Sequence, residues 1–429
     1  MQSSYLTARE TAERLGIKRD TLYAYVSRGL LRSQPIPGSR ERGYRTEEVE
    51  RLRAGRGLSR ATRSEPFVPV IDSAICLIEG GRLYYRGHDA IRLAETTTLE
   101  DIAGLLWSDE HDRLQAPTPT LPRLRGRGSS VPAPKTLSRK QGRVIAASSG
   151  NSLPRKRGRV GVGAAPSLGL IERCQVRLAE LAAADLGALD LTPHGIVRTG
   201  WAILYELAAC IGDRPTAPDP VHEQLAALWR LDQKGADLIR RCLVLLADHE
   251  LNASTFVARC VASTGATPYA VVSGALAALS GRRHGGASAS AEALLHEITE
   301  RDDPLAVMAA RLARNEMLPG LGHPLYPAGD PRAAALLNAA MAAIPASRPL
   351  IEAAVAAARQ LVPQPPNVDF ALAAATTALR LPQGSALAIF ILGRTVGWIA
   401  HAIEQYQSDV LIRPRARYTG LRPNAESSD

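Results

Sequence analysis

The chain has 429 residues and a formal charge of +10, with 45% hydrophobic but only 4% aromatic residues. That length exceeds one small core and predicts two or three units. Ala and Leu recur throughout, which favours packed helices over a sheet of β-branched and aromatic side chains. The charge is local: residues 1–65 carry a net +6, residues 117–166 a net +11 without a single acid, and the remainder a net −7. Most of the chain therefore needs no polyanionic partner, and only the two basic segments suit one. Cys76, Cys174, Cys210, Cys242 and Cys260 are scattered without a C-x-x-C pair. They read as reduced, mostly buried thiols rather than a metal site or a secreted disulfide framework. The N-terminus has no charged leader followed by an apolar core, and no run of 18 apolar residues occurs. A soluble cytoplasmic protein without membrane contact is expected.

In chain order, Tyr5 to Ile17 is predicted to be a helix with Thr7 as N-cap and Glu10 three residues on, ended by Gly16. A second short helix is predicted from Lys18 to Arg28, and Gly29 stops it. Pro37 to Arg45 reads as a basic hairpin bounded by glycines, and Thr46-Glu47-Glu48-Val49 opens a further helix. Two short helices joined by a Gly-containing turn are the helix-turn-helix layout, whose second helix enters the major groove. This order, with its basic wing and Tyr44-Arg45-Thr46-Glu47-Glu48-Val49, resembles the MerR-type and excisionase-type winged helix-turn-helix over residues 1–60. The resemblance implies DNA contacts at Lys18, Arg19, Thr21, Tyr23, Arg40 and Arg42. A protein-docking helical module is the other reading of the same pattern.

Residues 117–166 are rich in Pro, Gly, Ser and Arg and show neither helical nor strand periodicity. They contain a near-repeat, Leu121-Pro122-Arg123-Leu124-Arg125-Gly126-Arg127 against Leu153-Pro154-Arg155-Lys156-Arg157-Gly158-Arg159. Such a composition buries too little apolar surface to offset chain entropy, so a disordered basic insertion within a domain is predicted. A second nucleic-acid contact is its functional alternative. From Ser167 onward the chain is a succession of predicted helices: His222 to Arg230, Ala236 to Ala247, Ala253 to Ala262, Ala270 to Leu279, Leu350 to Leu361 and Ser385 to Glu404. Short Gly/Pro loops separate them, residues 421–429 read as a tail, and the fold class is all-α.

Four blocks combine His, Asp or Arg with glycine, proline or a capping residue. They are Asp248-His249-Glu250-Leu251-Asn252, Gly281-Arg282-Arg283-His284-Gly285-Gly286-Ala287, Pro319-Gly320-Leu321-Gly322-His323-Pro324-Leu325-Tyr326 and Pro366-Asn367-Val368-Asp369. Metal binding fails on spacing, because no His-x-x-x-His run puts two ligands on one helical face. The triplet Asp248-His249-Glu250, read as helical, alternates faces and cannot converge on one ion. No Gly-x-Ser-x-Gly, no dinucleotide fingerprint and no P-loop occurs, which leaves acid/base work on anionic substrates.

On these blocks, together with Tyr85-Arg86-Gly87-His88-Asp89 upstream and Arg413-Pro414-Arg415 near the end, the chain resembles citrate synthase. The resemblance covers about residues 66–420 apart from the insertion. It implies a large helical domain, a smaller one over about residues 285–378, and a cleft that closes on oxaloacetate. By resemblance, His284 donates a hydrogen bond to the thioester oxygen of acetyl-CoA while Asp369 removes a methyl proton and His323 protonates the ketone of oxaloacetate. His249, Arg332, Arg394 and Arg413 would hold oxaloacetate, Arg413 from the partner of a homodimer or higher assembly. Planar guanidinium groups suit its two carboxylates. Leu318, Gly320, Leu321 and Gly322 would meet coenzyme A through backbone groups, with the thioester a substrate and no further cofactor implied.

The chain departs from the commoner pattern at Pro324, where an Arg often follows the His, at Leu321 for Phe, at Arg282 for Pro and at Ser288 for Asn. These changes spare the proton-transfer groups and bear on coenzyme A affinity and donor choice. Two further readings stand beside citrate formation: 2-methylcitrate synthesis from propionyl-CoA, and a DNA-binding regulator whose body senses oxaloacetate or acyl-CoA.

Overall fold

A computed structural model describes residues 5–15, 22, 33–35, 42–46, 49, 71–108, 168–416 and 418–419. The chain divides into two compact units, Met1–Asp72 and Ser73–Asp429.

In the first unit the backbone N–H of Thr7 donates to Glu10 at 2.8 Å and that of Glu10 returns to the Thr7 hydroxyl at 3.3 Å. This capping box starts α1 (Ala8–Leu15) at the predicted residue. Tyr5–Thr7 is not helical as predicted but a strand, β1, because it pairs antiparallel with β3 (Arg42–Arg45). On the other side of β3 lies β2 (Ser33–Pro35), so the hairpin ladder begins four residues earlier than Pro37. Thr46 and Val49 are helical, as the Thr-Glu-Glu-Val run predicts. Ala12, Leu15, Leu22, Tyr44 and Val49 form the small core. Of the candidate DNA contacts, Lys18, Arg19, Thr21, Tyr23 and Arg40 lie outside the described residues, as do residues 117–166 and 421–429. Arg42 pairs with Pro35 at the end of the ladder.

The second unit opens on a three-stranded antiparallel meander that the all-α reading omitted: β4 (Cys76–Glu79), β5 (Arg82–Tyr85) and β6 (His88–Asp89). Gly80 and Gly81 turn the first hairpin at φ +57° and +75°, a conformation that glycine adopts without strain. Asp89 caps α2 (Ala90–Thr96), and Thr98 with Asp101 boxes α3 (Leu99–Trp107). After residue 167 come α4 (Leu170–Ala184), α5 (Pro193–Gly212), α6 (Val221–Trp229), α7 (Gln233–Leu246), α8 (Ala253–Ala262) and α9 (Pro268–Leu279). Next are α10 (Gly285–Arg301), α11 (Pro304–Ala313), α12 (Pro331–Ala343), α13 (Arg348–Leu361), α14 (Val368–Ala378) and α15 (Ser385–Ser408). Side chains of Asp232, Asn252, Asp303, Asp330 and Asn367 accept from first-turn N–H groups. Each such cap is worth about 1 kcal/mol and sets where a helix begins.

One continuous core joins the meander to the helices, and α15 runs through it. That helix is long and apolar enough to cross a membrane, yet 94% of its most apolar window is buried inside the protein, against α3, α5, α7, α8 and α9. Gly393 and Gly397 face the end of α7. A Cβ at Gly393 would stand 2.9 Å from Leu243 O and from Leu246 Cβ, and the Gly397 N–H donates to Ala247 O at 3.0 Å. These two glycines let the chain after α7 lie directly on α15. All five cysteines are free thiols, Cys174 and Cys242 buried and the others partly so.

Candidate active site

Residues 247–252 leave α7 and cross α15. Asp248, His249 and Glu250 are therefore not helical, contrary to the sequence reading, and Glu250 turns at φ +51°. Tyr85, fully buried on β5, donates to Val244 O at 3.0 Å or to Asp248 O at 3.2 Å, which ties the meander to this loop. His249 is thereby pinned with its Nε2 3.1 Å from the Tyr326 hydroxyl and its ring edge-on to His323, centroids 4.9 Å apart. Burial first, and then the charges of Arg332 and Arg394, hold the His249 pKa well below 6.5, so its ring is neutral.

His284 is the residue before α10, in the tight turn that begins at Gly281. Its Nε2 lies 2.7 Å from Ser254 Oγ on α8. Ser254 also accepts from Trp398 Nε1 at 3.1 Å and donates to Asn252 Oδ1 at 2.9 Å. Nδ1 of the ring has no hydrogen-bond partner among the described residues. Burial, with Arg394 second, pushes the His284 pKa down from 6.5 to about 4, so the ring is neutral at pH 7.

Two loops meet on the opposite side. Asn367 N donates to Gly320 O at 2.9 Å, Gly322 N donates to Pro365 O at 2.7 Å, Asn367 Nδ2 donates to Gly322 O at 2.9 Å, and Leu321 bridges Pro366. This zip holds the loop that carries His323 against the start of α14, whose first turn carries Asp369. The Leu325 N–H donates to His323 Nδ1 at 3.2 Å, so the neutral ring carries its proton on Nε2. Burial, with Arg332, lowers the His323 pKa. Burial raises that of Asp369, against the opposing donation of Ser288 to its Oδ1.

Arg332 is fully buried and forked onto Asp330, Nε to Oδ1 at 3.0 Å and Nη2 to Oδ2 at 2.7 Å. The same Asp330 caps α12 and accepts from Val368 N at 3.1 Å, which joins α12 to α14. Arg394 is fully buried on α15, stacks 4.9 Å over Phe390 and donates Nε to Leu246 O at 2.8 Å. Its Nη1 has no hydrogen-bond partner among the described residues. A buried guanidinium left with an idle donor costs free energy unless an acceptor arrives.

The structure thus brings together His249, His284, His323, Asp369, Arg332 and Arg394. Arg394 acts electrostatically on His284 and Asp369, and Arg332 on His249, His323 and Asp369. Arg413 stands apart, exposed after α15. Leu318 and Gly320 are buried, but the backbone groups of Gly320 and Gly322 already serve the zip, which leaves fewer for a ligand. Tyr326, Ser254 and Asp330 are site residues to which the sequence reading gave no role, and Ser288, read as bearing on coenzyme A affinity and donor choice, instead donates to Asp369. Only Asp330 carried a usable signal, since an Asp before Pro at a helix start predicts a cap.

Residues 67–415 match the family model described as citrate synthase, C-terminal domain. The chain belongs to the citrate synthase family. Within that family, the Haloferax volcanii citrate synthase is 39% identical over 191 residues, 43% of this chain and 50% of that protein. A 2-methylcitrate synthase of Shewanella oneidensis is 36% identical over 186 residues, 42% of this chain and 50% of that protein. The chain spans about half the length of the curated relatives it matches. A solved citrate synthase structure from Thermotoga maritima superposes with a TM-score of 0.60 at 26% identity, covering 83% of this chain and 95% of that one. Residues 6–61 match a separate model, MerR HTH family regulatory protein, which agrees with the reading of the head.

Proposed function

We propose that the chain condenses acetyl-CoA with oxaloacetate and water to citrate and coenzyme A, an acyl transfer in which the acyl group becomes alkyl. The observation that carries this is the buried Arg394, its Nη1 idle among the described residues, within electrostatic reach of Arg332, His249 and His284, with Arg332 in turn within reach of His323. Two guanidinium groups suit the carboxylates of oxaloacetate, and neutral rings donate hydrogen bonds without repelling each other. When the single hydroxyl proton of Ser254 turns from Asn252 Oδ1 to Nε2 of His284, the neutral ring carries its own proton on Nδ1 and offers it to the thioester oxygen while Asp369 takes a methyl proton. The enolate carbon attacks the ketone, whose oxygen receives a proton from Nε2 of His323. Water then cleaves the citryl thioester. Leu318, Gly320, Leu321 and Gly322 line the coenzyme A side, residues 285–378 form the lobe that closes, and His249 contacts oxaloacetate. In a cytoplasmic homodimer the exposed Arg413 would complete the partner's site.

A thiol-release assay with acetyl-CoA and propionyl-CoA side by side tests this. Turnover with acetyl-CoA that disappears in His284→Ala and Asp369→Ala is expected. Preference for propionyl-CoA would move the reading to 2-methylcitrate synthesis, and wild-type turnover no better than the two variants would overturn both.

The match of residues 6–61 to a MerR-type regulator favours a second role, DNA binding through the head. Salt-sensitive, sequence-selective binding of an operator fragment is the expected result, and no binding at low salt would exclude it.

A further inference from the structure

Ser288 lies one helical turn beyond His284 in α10 and is fully buried. A serine inside a helix ordinarily bonds back to the carbonyl one turn earlier. Ser290 does so, donating to Gly286 O at 2.7 Å. Ser288 instead directs its single proton across to α14, onto Oδ1 of Asp369. The Asp369 backbone N–H is fixed by Asn367 Oδ1 at 3.0 Å, while Oδ2 has no hydrogen-bond partner among the described residues.

We propose that Ser288 is the positioning residue for the base: by holding Oδ1 it selects one carboxylate orientation and leaves Oδ2 as the oxygen that takes the methyl proton. This rests on the reading of Asp369 as proton acceptor. The torsion about Cβ–Cγ of an aspartate is broad and nearly two-fold, so packing alone selects an orientation weakly. A charge-assisted O–H···O⁻ bond is short and roughly twice as strong as a neutral one, and it selects one orientation strongly. In the step itself the C–H bond breaks, an Oδ2–H bond forms, and the electron pair moves toward the thioester oxygen bonded by His284. Ser288 keeps its proton throughout. The same bond opposes the effect of burial, which otherwise favours a protonated, inactive Asp369.

The contact also binds acid and base geometrically. His284 and Ser288 occupy one end of α10, so the serine that orients the carboxylate is carried by the helix whose start holds the thioester donor.

The test is a carboxyl titration by ¹³C NMR on full-length protein labelled at Asp Cγ, with Asp369→Asn identifying the signal, beside pH profiles of kcat. Ser288→Ala is expected to raise the Asp369 midpoint by about one pH unit and to carry the acid limb of kcat with it. Its kcat at neutral pH should fall roughly tenfold with the oxaloacetate KM within about twofold, the signature of an interaction made in the transition state. Ser288→Thr, which keeps the hydroxyl, should restore both, and melting curves separate any folding loss. A midpoint and acid limb unmoved in Ser288→Ala would overturn the proposal. Wild-type kcat in Asp369→Asn would overturn the role of Asp369 as base instead, and the titration would still report whether Ser288 holds it.

Discussion

Replacing Gly320 by alanine tests how the two catalytic loops are joined. Gly320 stands at φ +78°, where an alanine costs about 1 kcal/mol more than glycine. Its new Cβ would lie 2.8 Å from Phe370 Cβ, 2.9 Å from Phe370 N and 3.0 Å from Phe370 Cα. None of those atoms can rotate away, because Phe370 is in the first turn of α14 with its ring fully buried. Ordinary carbon contacts need about 3.5 Å or more, so the loops must part by roughly half an ångström. Parting loosens three hydrogen bonds, Asn367 N to Gly320 O, Gly322 N to Pro365 O and Asn367 Nδ2 to Gly322 O. At about 1 kcal/mol each, with the backbone cost added, the variant should lose roughly 3 to 4 kcal/mol. His323, three residues along the same loop, shifts by a similar half ångström, and because misplacement by about 1 Å costs about a hundredfold, kcat should fall about 10- to 100-fold. Thiol release read beside thermal unfolding measures both. A variant with kcat within about twofold of wild type and an unchanged melting temperature would refute the zip as the element that aligns the pair.

Arg394→Met keeps the bulk over Phe390 and removes the charge. The oxaloacetate KM should rise about a hundredfold or more for the lost carboxylate partner, while the melting temperature holds or rises because a buried, part-idle cation is gone. An unchanged KM would remove Arg394 from the substrate site. Acid should destabilise the fold through its neutral histidines. The folded-state pKa of His284 is depressed from 6.5 to about 4, so the unfolded chain binds the extra proton first as pH falls. Stability is thus lost between those values, by up to roughly 3 kcal/mol for this group, with His249 and His323 acting in the same direction. Urea unfolding at pH 7 and pH 4.5 measures the loss, and His284→Gln should reduce it; equal stability at the two pH values would contradict the burial argument.

Local signals in the sequence were read well where a cap decides the outcome. α8 runs from Ala253 to Ala262 as predicted because Asn252 caps it, and α1 starts after Thr7 for the same reason. The ends of the other five helices predicted after residue 167 fall within four residues of those observed, while the helix predicted from Lys18 to Arg28 has its ends outside the described residues. The meander was missed although Gly80-Gly81 marks a hairpin, since composition had already assigned an all-α fold. Tyr5–Thr7 was misassigned because its strand exists only through pairing with residues far along the chain. Long range also hid Tyr326, Ser254 and Ser288. Each acts through a partner 77, 30 or 81 residues away, and no local periodicity encodes such an approach. The Asp248-His249-Glu250 triplet failed for a third reason: α7 ends at Leu246, where the chain lies on the two glycines of α15.

Those glycines set how freely the protein can be re-engineered. Any side chain at Gly393 or Gly397 would displace the backbone that carries His249, so this wall offers no positions for changing selectivity. Met317, 90% exposed, and Leu325, 46% exposed, flank the His323 loop outside the zip, and their side chains can change without displacing backbone. Substitution there leaves the zip, and with it the hold of the His323 loop on α14, in place.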